Sequence, residues 1–97
     1  MVVRADLPKG LQAAQIVHAA GESSPGNLPG GTHAVALIVP DEPALRSVAA
    51  RLRLAGVAFA PIVESDAPWT GQLMALGLVP GRKESLRRFV SSLPLLR

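Results

Sequence analysis

Four side chains in two separated stretches are of the types that ester hydrolysis uses. Gln15 and His18 lie three residues apart in LQAAQIVHAA (11–20), and Asp66 and Thr70 lie four apart in ESDAPWTGQ (64–72). Hydrolysis of a carboxylic ester needs an oriented water, a group that takes its proton, and donors for the oxyanion. Asp66 is the candidate to accept or orient the proton, and the Gln15 carboxamide and Thr70 hydroxyl are candidate donors. Plainer roles exist for each. Asp66 ahead of Ala-Pro also suits a turn-forming residue or a partner for Arg4, and Gln15 suits an ordinary exposed helix position, as Gln12 does. His18 reads as a supporting residue rather than a general base. Trp69, the only tryptophan, suits stacking on an unpaired base, worth roughly 1–3 kcal/mol, or equally a plug for the core or for a dimer interface. Lys9, in a Pro-Lys-Gly turn, can meet phosphate or remain solvated.

These residues need a scaffold that brings two distant stretches together. A short apolar strand over 1–5 leads through Asp6 and Pro8 into an alanine-rich helix over about 9–20. That helix should be closed by Gly21, with Ala13, Ile16, Val17 and Ala20 as its buried face. Residues 21–31, dense in Gly, Pro, Ser and Asn, predict an exposed loop. THAVALIV (32–39) is nearly continuous aliphatic sequence and predicts a strand covered on both faces. Asp41 should cap a second helix with Pro43 in its first turn, Leu45, Val48, Ala49 and Leu52 as its core stripe, and Gly56 just beyond its end. A third strand over 57–63 contains Pro61, which argues for a sheet edge or for the last residues leaving the sheet. After the polar turn a fourth strand covers 72–79, and a last helix spans about 82–92 with Leu86, Phe89, Val90 and Leu93 apolar at helical spacing. Helical crossovers should set the first three strands parallel, while the short turn allows the fourth to be antiparallel. The loops after strands one and three would then meet at one end of the sheet, where open α/β sheets place their ligands.

Composition narrows the function classes. Ninety-seven residues suit one domain. The chain has no cysteine, which excludes disulfides, thiolate metal sites and cysteine nucleophiles. Two histidines and few carboxylates give no reason to expect a metal or other cofactor. No apolar run approaches a membrane span, and Arg4, Asp6 and Lys9 interrupt any leader-like segment, so a cytoplasmic protein is expected. Ten basic against seven acidic side chains leave a formal charge of +3. Half of the bases (Arg82, Lys83, Arg87, Arg88, Arg97) lie in the last sixteen positions. Arg87 and Arg88 thereby become candidate phosphate contacts, with a solvated amphipathic helix as the plain alternative.

VVRADL followed by KG, then AAQIVHAA, ESDAPWTGQ and ALGLVP, in that order over almost the whole chain, resembles the type II peptidyl-tRNA hydrolase family. The resemblance implies a three-layer α/β/α domain with a four-stranded mixed sheet. It also implies metal-free cleavage of the ester between a peptidyl or aminoacyl group and tRNA, and often a homodimer. By that likeness Gln15, Asp66 and Thr70 form the catalytic set. Asp6 matches the acid after the first strand, Lys9 the first lysine of the following turn, and His18 the histidine one turn beyond Gln15. Two departures stand out. Leu11 occupies the place of a functional lysine four residues before the glutamine. Gln72, after a shortened turn, is the best match for the threonine that opens the last strand. They motivate a second expectation, a scaffold without the chemistry that serves as an RNA-binding or protein-interaction module.

Overall fold

Val2 and Val3 at the head of the chain are both fully buried. Neighbouring strand residues point to opposite faces, so this strand must be covered above and below. The computed structural model, which describes all 97 residues, shows how. The elements are β1 (Val2–Arg4), α1 (Lys9–Ser23), β2 (Leu37–Val39), α2 (Glu42–Leu54), β3 (Phe59–Val63), β4 (Leu73–Leu78) and α3 (Lys83–Val90). The strands form one mixed sheet in the order β2-β1-β4-β3, with β1 and β2 parallel and β4 antiparallel to both β1 and β3. β1, β2 and β3 therefore run one way and β4 the other, as the connection lengths led one to expect. Because β4 inserts between β1 and β3, only one parallel pair exists. Val2 joins a cluster with Leu45, Val48, Ala49 and Leu52 of α2, to which Phe89 of α3 and Leu93 add. Val3 joins a second cluster with Leu7, Ala19, Ile62, Met74 and Ala75.

α2 follows its sequence closely. The Asp41 side chain accepts a hydrogen bond from the Ala44 amide at 3.0 Å, filling one of the first-turn vacancies. Leu45 and Leu52 are completely buried, each stabilising the fold by about 1.5–3 kcal/mol. Past the helix end, the Gly56 amide donates to Arg53 and the Val57 amide to Leu52. This paired closure requires a left-handed residue between them, and Gly56 supplies φ +70°.

α1 departs from expectation. It runs through Gly21 to Ser23, and the face turned to the sheet is Gln12, Gln15, Ala19 and Ser23 rather than Ala13, Ile16, Val17 and Ala20. Val17 is 70% exposed, Ala13 is exposed, and Ile16 and Ala20 are only half-buried. The cause lies beneath the helix. A β-carbon added at Gly77 of β4 would sit 2.8 Å from the carbonyl carbon of Ala19 and 2.8 Å from Ser23 Oγ. The backbones of α1 and β4 thus approach to a distance that only glycine below and small residues above permit. Two polar members of this face are bonded to main chain. Ser23 Oγ donates to the Ala19 carbonyl at 2.7 Å, and Gln12 Nε2 donates to the carbonyls of Leu7 (2.6 Å) and Ala5 (3.3 Å).

β2 is also shorter than its sequence suggests. Residues 32–35 are exposed and outside any strand, because β1, the partner strand, offers only Val2, Val3 and Arg4 to pair with. β2 is an outer strand, not a fully covered one. Residues 94–96 lie along its free side, with an antiparallel bridge between Leu37 and Leu95. The Ile38 amide donates to Pro94 and the Leu96 amide to Ala36, both at 2.9 Å. At the other margin β3 carries Pro61, as expected of an edge. No helix is long and apolar enough to cross a membrane.

Candidate functional site

The loop after β1 and the loop joining β3 to β4 meet at one end of the sheet, and the side chain that joins them is Arg4. It sits at the end of β1 and is only 4% exposed. A buried guanidinium must spend its donors within the protein. Nε and Nη2 grip the two Asp6 oxygens at 3.0 and 2.9 Å. Nη1 donates to Gln72 Oε1 at 2.8 Å and to the Leu73 carbonyl at 3.2 Å. The guanidinium carbon lies 5.4 Å from the centre of the Trp69 ring, within cation–π range. One buried cation thus ties residues 6, 69, 72 and 73 together.

A second link crosses from α1. Gln15, 3% exposed, donates from Nε2 to Glu64 Oε2 at 3.2 Å. The other Glu64 oxygen accepts from the amides of Ser65 (2.9 Å) and Asp66 (3.2 Å). Glu64 therefore fixes the start of the loop to α1. The loop closes on itself through Gly71 N to Glu64 O (2.8 Å), Glu64 N to Gln72 O (3.0 Å) and Trp69 N to Asp66 O (3.1 Å). Gly71 adopts φ +78° at the return, a conformation that glycine reaches without steric cost.

The candidates distribute unevenly over this frame. Gln15 and Gln72 belong to the two links, but Gln15 bonds Glu64 and not Asp66. Asp66 and Thr70 are exposed on the loop, and their side chains have no partner among the chain's hydrogen bonds and ion pairs. Trp69 is half-buried against the cluster around Val3 and Met74, so its ring packs into the core while Arg4 covers it. Lys9, in the first turn of α1, donates to the main-chain oxygen of Arg97 at 3.1 Å. It lines an open groove of about 470 Å³ with Gln12, Ala13, Ile16, Leu96 and Arg97. His18 faces a separate shallow hollow of about 240 Å³, shared with Glu22 and residues 61–63. Arg87 and Arg88 lie on α3, on the α2 side of the sheet, and take no part in the polar network.

Sequence reasoning missed Glu64 and the central role of Arg4. The available signal was a lone arginine ending a strand of valines, next to a site acid two residues on. A charged residue on a buried strand has to have partners.

The electrostatics assign different roles to the acids. The Arg4 guanidinium holds the Asp6 carboxyl below its ordinary range, and the same pairing raises Arg4. Asp6 is therefore an ionised anchor and a weak proton acceptor. Glu42, at the start of α2, is lowered chiefly by the Leu73 amide, which donates to Oε2 at 2.6 Å. Arg46 adds a contact at 3.0 Å. Asp66 alone among the acids of the loop keeps both oxygens open to solvent or substrate. Two acceptors, Gln12 Oε1 and Gln15 Oε1, are buried without a partner. The first turn of α1 has no side-chain cap, so its first amides lack a side-chain partner.

No protein-family profile and no curated protein sequence matches this chain.

Proposed function

We propose that the chain is a peptidyl-tRNA hydrolase-like esterase that acts on the bond between a peptidyl or aminoacyl group and the terminal ribose of tRNA. The observation that carries this reading is the meeting of residues 4–15 with residues 64–72 through the Arg4–Gln72 and Gln15–Glu64 bonds. In this reading Asp66 orients a water and takes its proton. Thr70 and the uncapped amides of α1 are donors for the oxyanion. Gln15 acts through Glu64, holding the loop that carries Asp66. Gln72 and Arg4 keep the loop's other end in register, and Trp69 sets its depth. The cytoplasm, where translation supplies the substrate, is the corresponding compartment, and a homodimer accords with the family resemblance.

Turnover of labelled peptidyl-tRNA by the wild type and by Asp66→Ala tests the proposal. General-base assistance contributes about 10²–10⁴-fold, so the variant should lose at least about 100-fold in kcat with its melting temperature unchanged. A wild type without turnover ends the esterase reading.

One observation favours the second reading, a binding module without chemistry. Leu11 is half-buried and packs against the cluster around Val3, where the resembling family presents a cation. A charge-assisted hydrogen bond is worth about 1.5–3 kcal/mol, so its absence removes transition-state stabilisation that Lys9, two residues earlier and on a different face of the helix, only partly replaces. This reading expects tRNA retention with no ester cleavage.

A further inference from the structure

The positive charge of the molecule is segregated. Arg46, Arg51 and Arg53 of α2, with Arg82, Lys83, Arg87 and Arg88 of α3 and its N-cap, make up seven of the ten basic side chains. The same two helices and their caps carry three of the seven acids, Asp41, Glu42 and Glu84. Two of these are already engaged, Asp41 as a helix cap and Glu42 with Arg46 and the Leu73 amide. The chain has only two ion pairs, Arg4–Asp6 and Arg46–Glu42. Arg51, Arg53, Arg82, Lys83, Arg87 and Arg88 are therefore exposed cations with no carboxylate partner.

Topology places part of this set away from the polar loops. β4 runs from Leu73, beside Arg4, to Leu78, which pairs with Phe59, a run of six residues and roughly 20 Å. The Arg53 guanidinium lies 5.2 Å from the centre of the Phe59 ring, and α3 begins five residues after Leu78. Arg53, Arg82 and Lys83 thus gather at the far end of the sheet, and α3 carries Arg87 and Arg88 onward. The Arg88 guanidinium is 5.1 Å from the centre of the Phe89 ring. Stacking on an aromatic face holds the planar guanidinium in place and lowers the entropy cost of bidentate phosphate contacts.

We infer that the α2–α3 surface is a docking face for the phosphodiester backbone of RNA, separate from the loops that carry Asp66. The choice of RNA over DNA rests on the hydrolase reading; the phosphate chemistry does not. A lipid bilayer is the competing polyanion. Six of the seven cations are arginine, the side chain suited to bidentate phosphate contacts, and Phe89 and Leu93 pack on the cluster around α2 rather than standing free, which favours a phosphodiester backbone. On this view an RNA body is gripped on one side of the sheet while its free end reaches the other end of the same strands.

The test uses deacylated tRNA, which has no ester, so its outcome does not depend on turnover. Binding of the full chain is measured against salt concentration for the wild type and for Arg51→Gln/Arg82→Gln/Arg87→Gln/Arg88→Gln, with melting temperature as the folding control. The wild type should bind with affinity that falls steeply as salt rises. The variant should lose about 10-fold or more at low salt, and its log–log salt slope should flatten by about 0.7–0.9 for each phosphate contact removed. Anionic phospholipid vesicles serve as the competing polyanion and should be retained more weakly than tRNA. No binding of tRNA by the wild type, an unchanged slope in the folded variant, or vesicles retained as strongly as tRNA would each overturn the inference.

Discussion

α1 and α2 both pack on β1 and β4 of the one sheet, yet they bury opposite kinds of surface. α2 turns Leu45, Val48, Ala49 and Leu52 to the sheet, a stripe that gains by leaving water. α1 turns Gln12, Gln15, Ala19 and Ser23 inward and leaves Val17 outside. The first arrangement stabilises through area; the second gains little from area and depends on the hydrogen bonds donated by Gln12, Gln15 and Ser23 and on a close backbone approach. The difference separates work. The side of α2 holds the protein together, and the side of α1 supplies polar groups at a strand end.

Leu52→Ala should break the comparison from the α2 side with the largest effect. It removes a fully buried side chain and should cost about 2–5 kcal/mol, read from the midpoint of denaturant unfolding. A loss below about 1 kcal/mol would mean that α2 is not the principal anchor. Gly77→Ala attacks the α1 side. Its new carbon collides with helix backbone that cannot rotate away, so a loss of about 1–3 kcal/mol is expected. Hydrogen exchange should accelerate in α1 while α2 keeps its protection. Equal acceleration in both helices would show that the two sides are not separable.

Acid should produce the smallest effect. Asp6 and Glu42 have folded-state pKa values below the ordinary 3.8 and 4.5. Groups lowered by folding contribute stability that is complete above the unfolded value and disappears as pH falls through the folded one. The contribution of these two acids to the melting temperature should therefore be complete above about pH 5 and decline below about pH 4. Solvent screening keeps the Asp6 share small, because its side chain is 40% exposed. In Arg4→Met the Asp6 part of that decline should vanish. An Arg4→Met profile that overlays the wild type would show that the pairing contributes nothing.

Legibility followed the same division. Element order, the common direction of the first three strands and the cap, core stripe and closing glycine of α2 could be read from the sequence, while the short turn before β4 left its direction open. In those segments hydrophobic period, cap and closing glycine all report one environment. α1 could not be read that way. An alanine-rich helix has little amphipathic contrast, and what sets its rotation is Gly77, more than fifty residues downstream. β2 was overextended because strand propensity says nothing about the length of the partner. In the candidate site, the meeting of the two polar stretches was foreseen. The pairing of Gln15 with Glu64 was not, since both acids of the turn were equally eligible until the loop closed on itself.

The margins of the sheet bear on how copies of this chain meet. Residues 94–96 occupy the outer hydrogen bonds of β2, and Pro61 deprives β3 of one amide in the middle of its five residues. Growth by strand addition, the route to fibrils and swapped ribbons, finds a filled valence on one flank and an interrupted one on the other. Any assembly this protein forms is directed to its helices and loops, and the sheet itself stays finite.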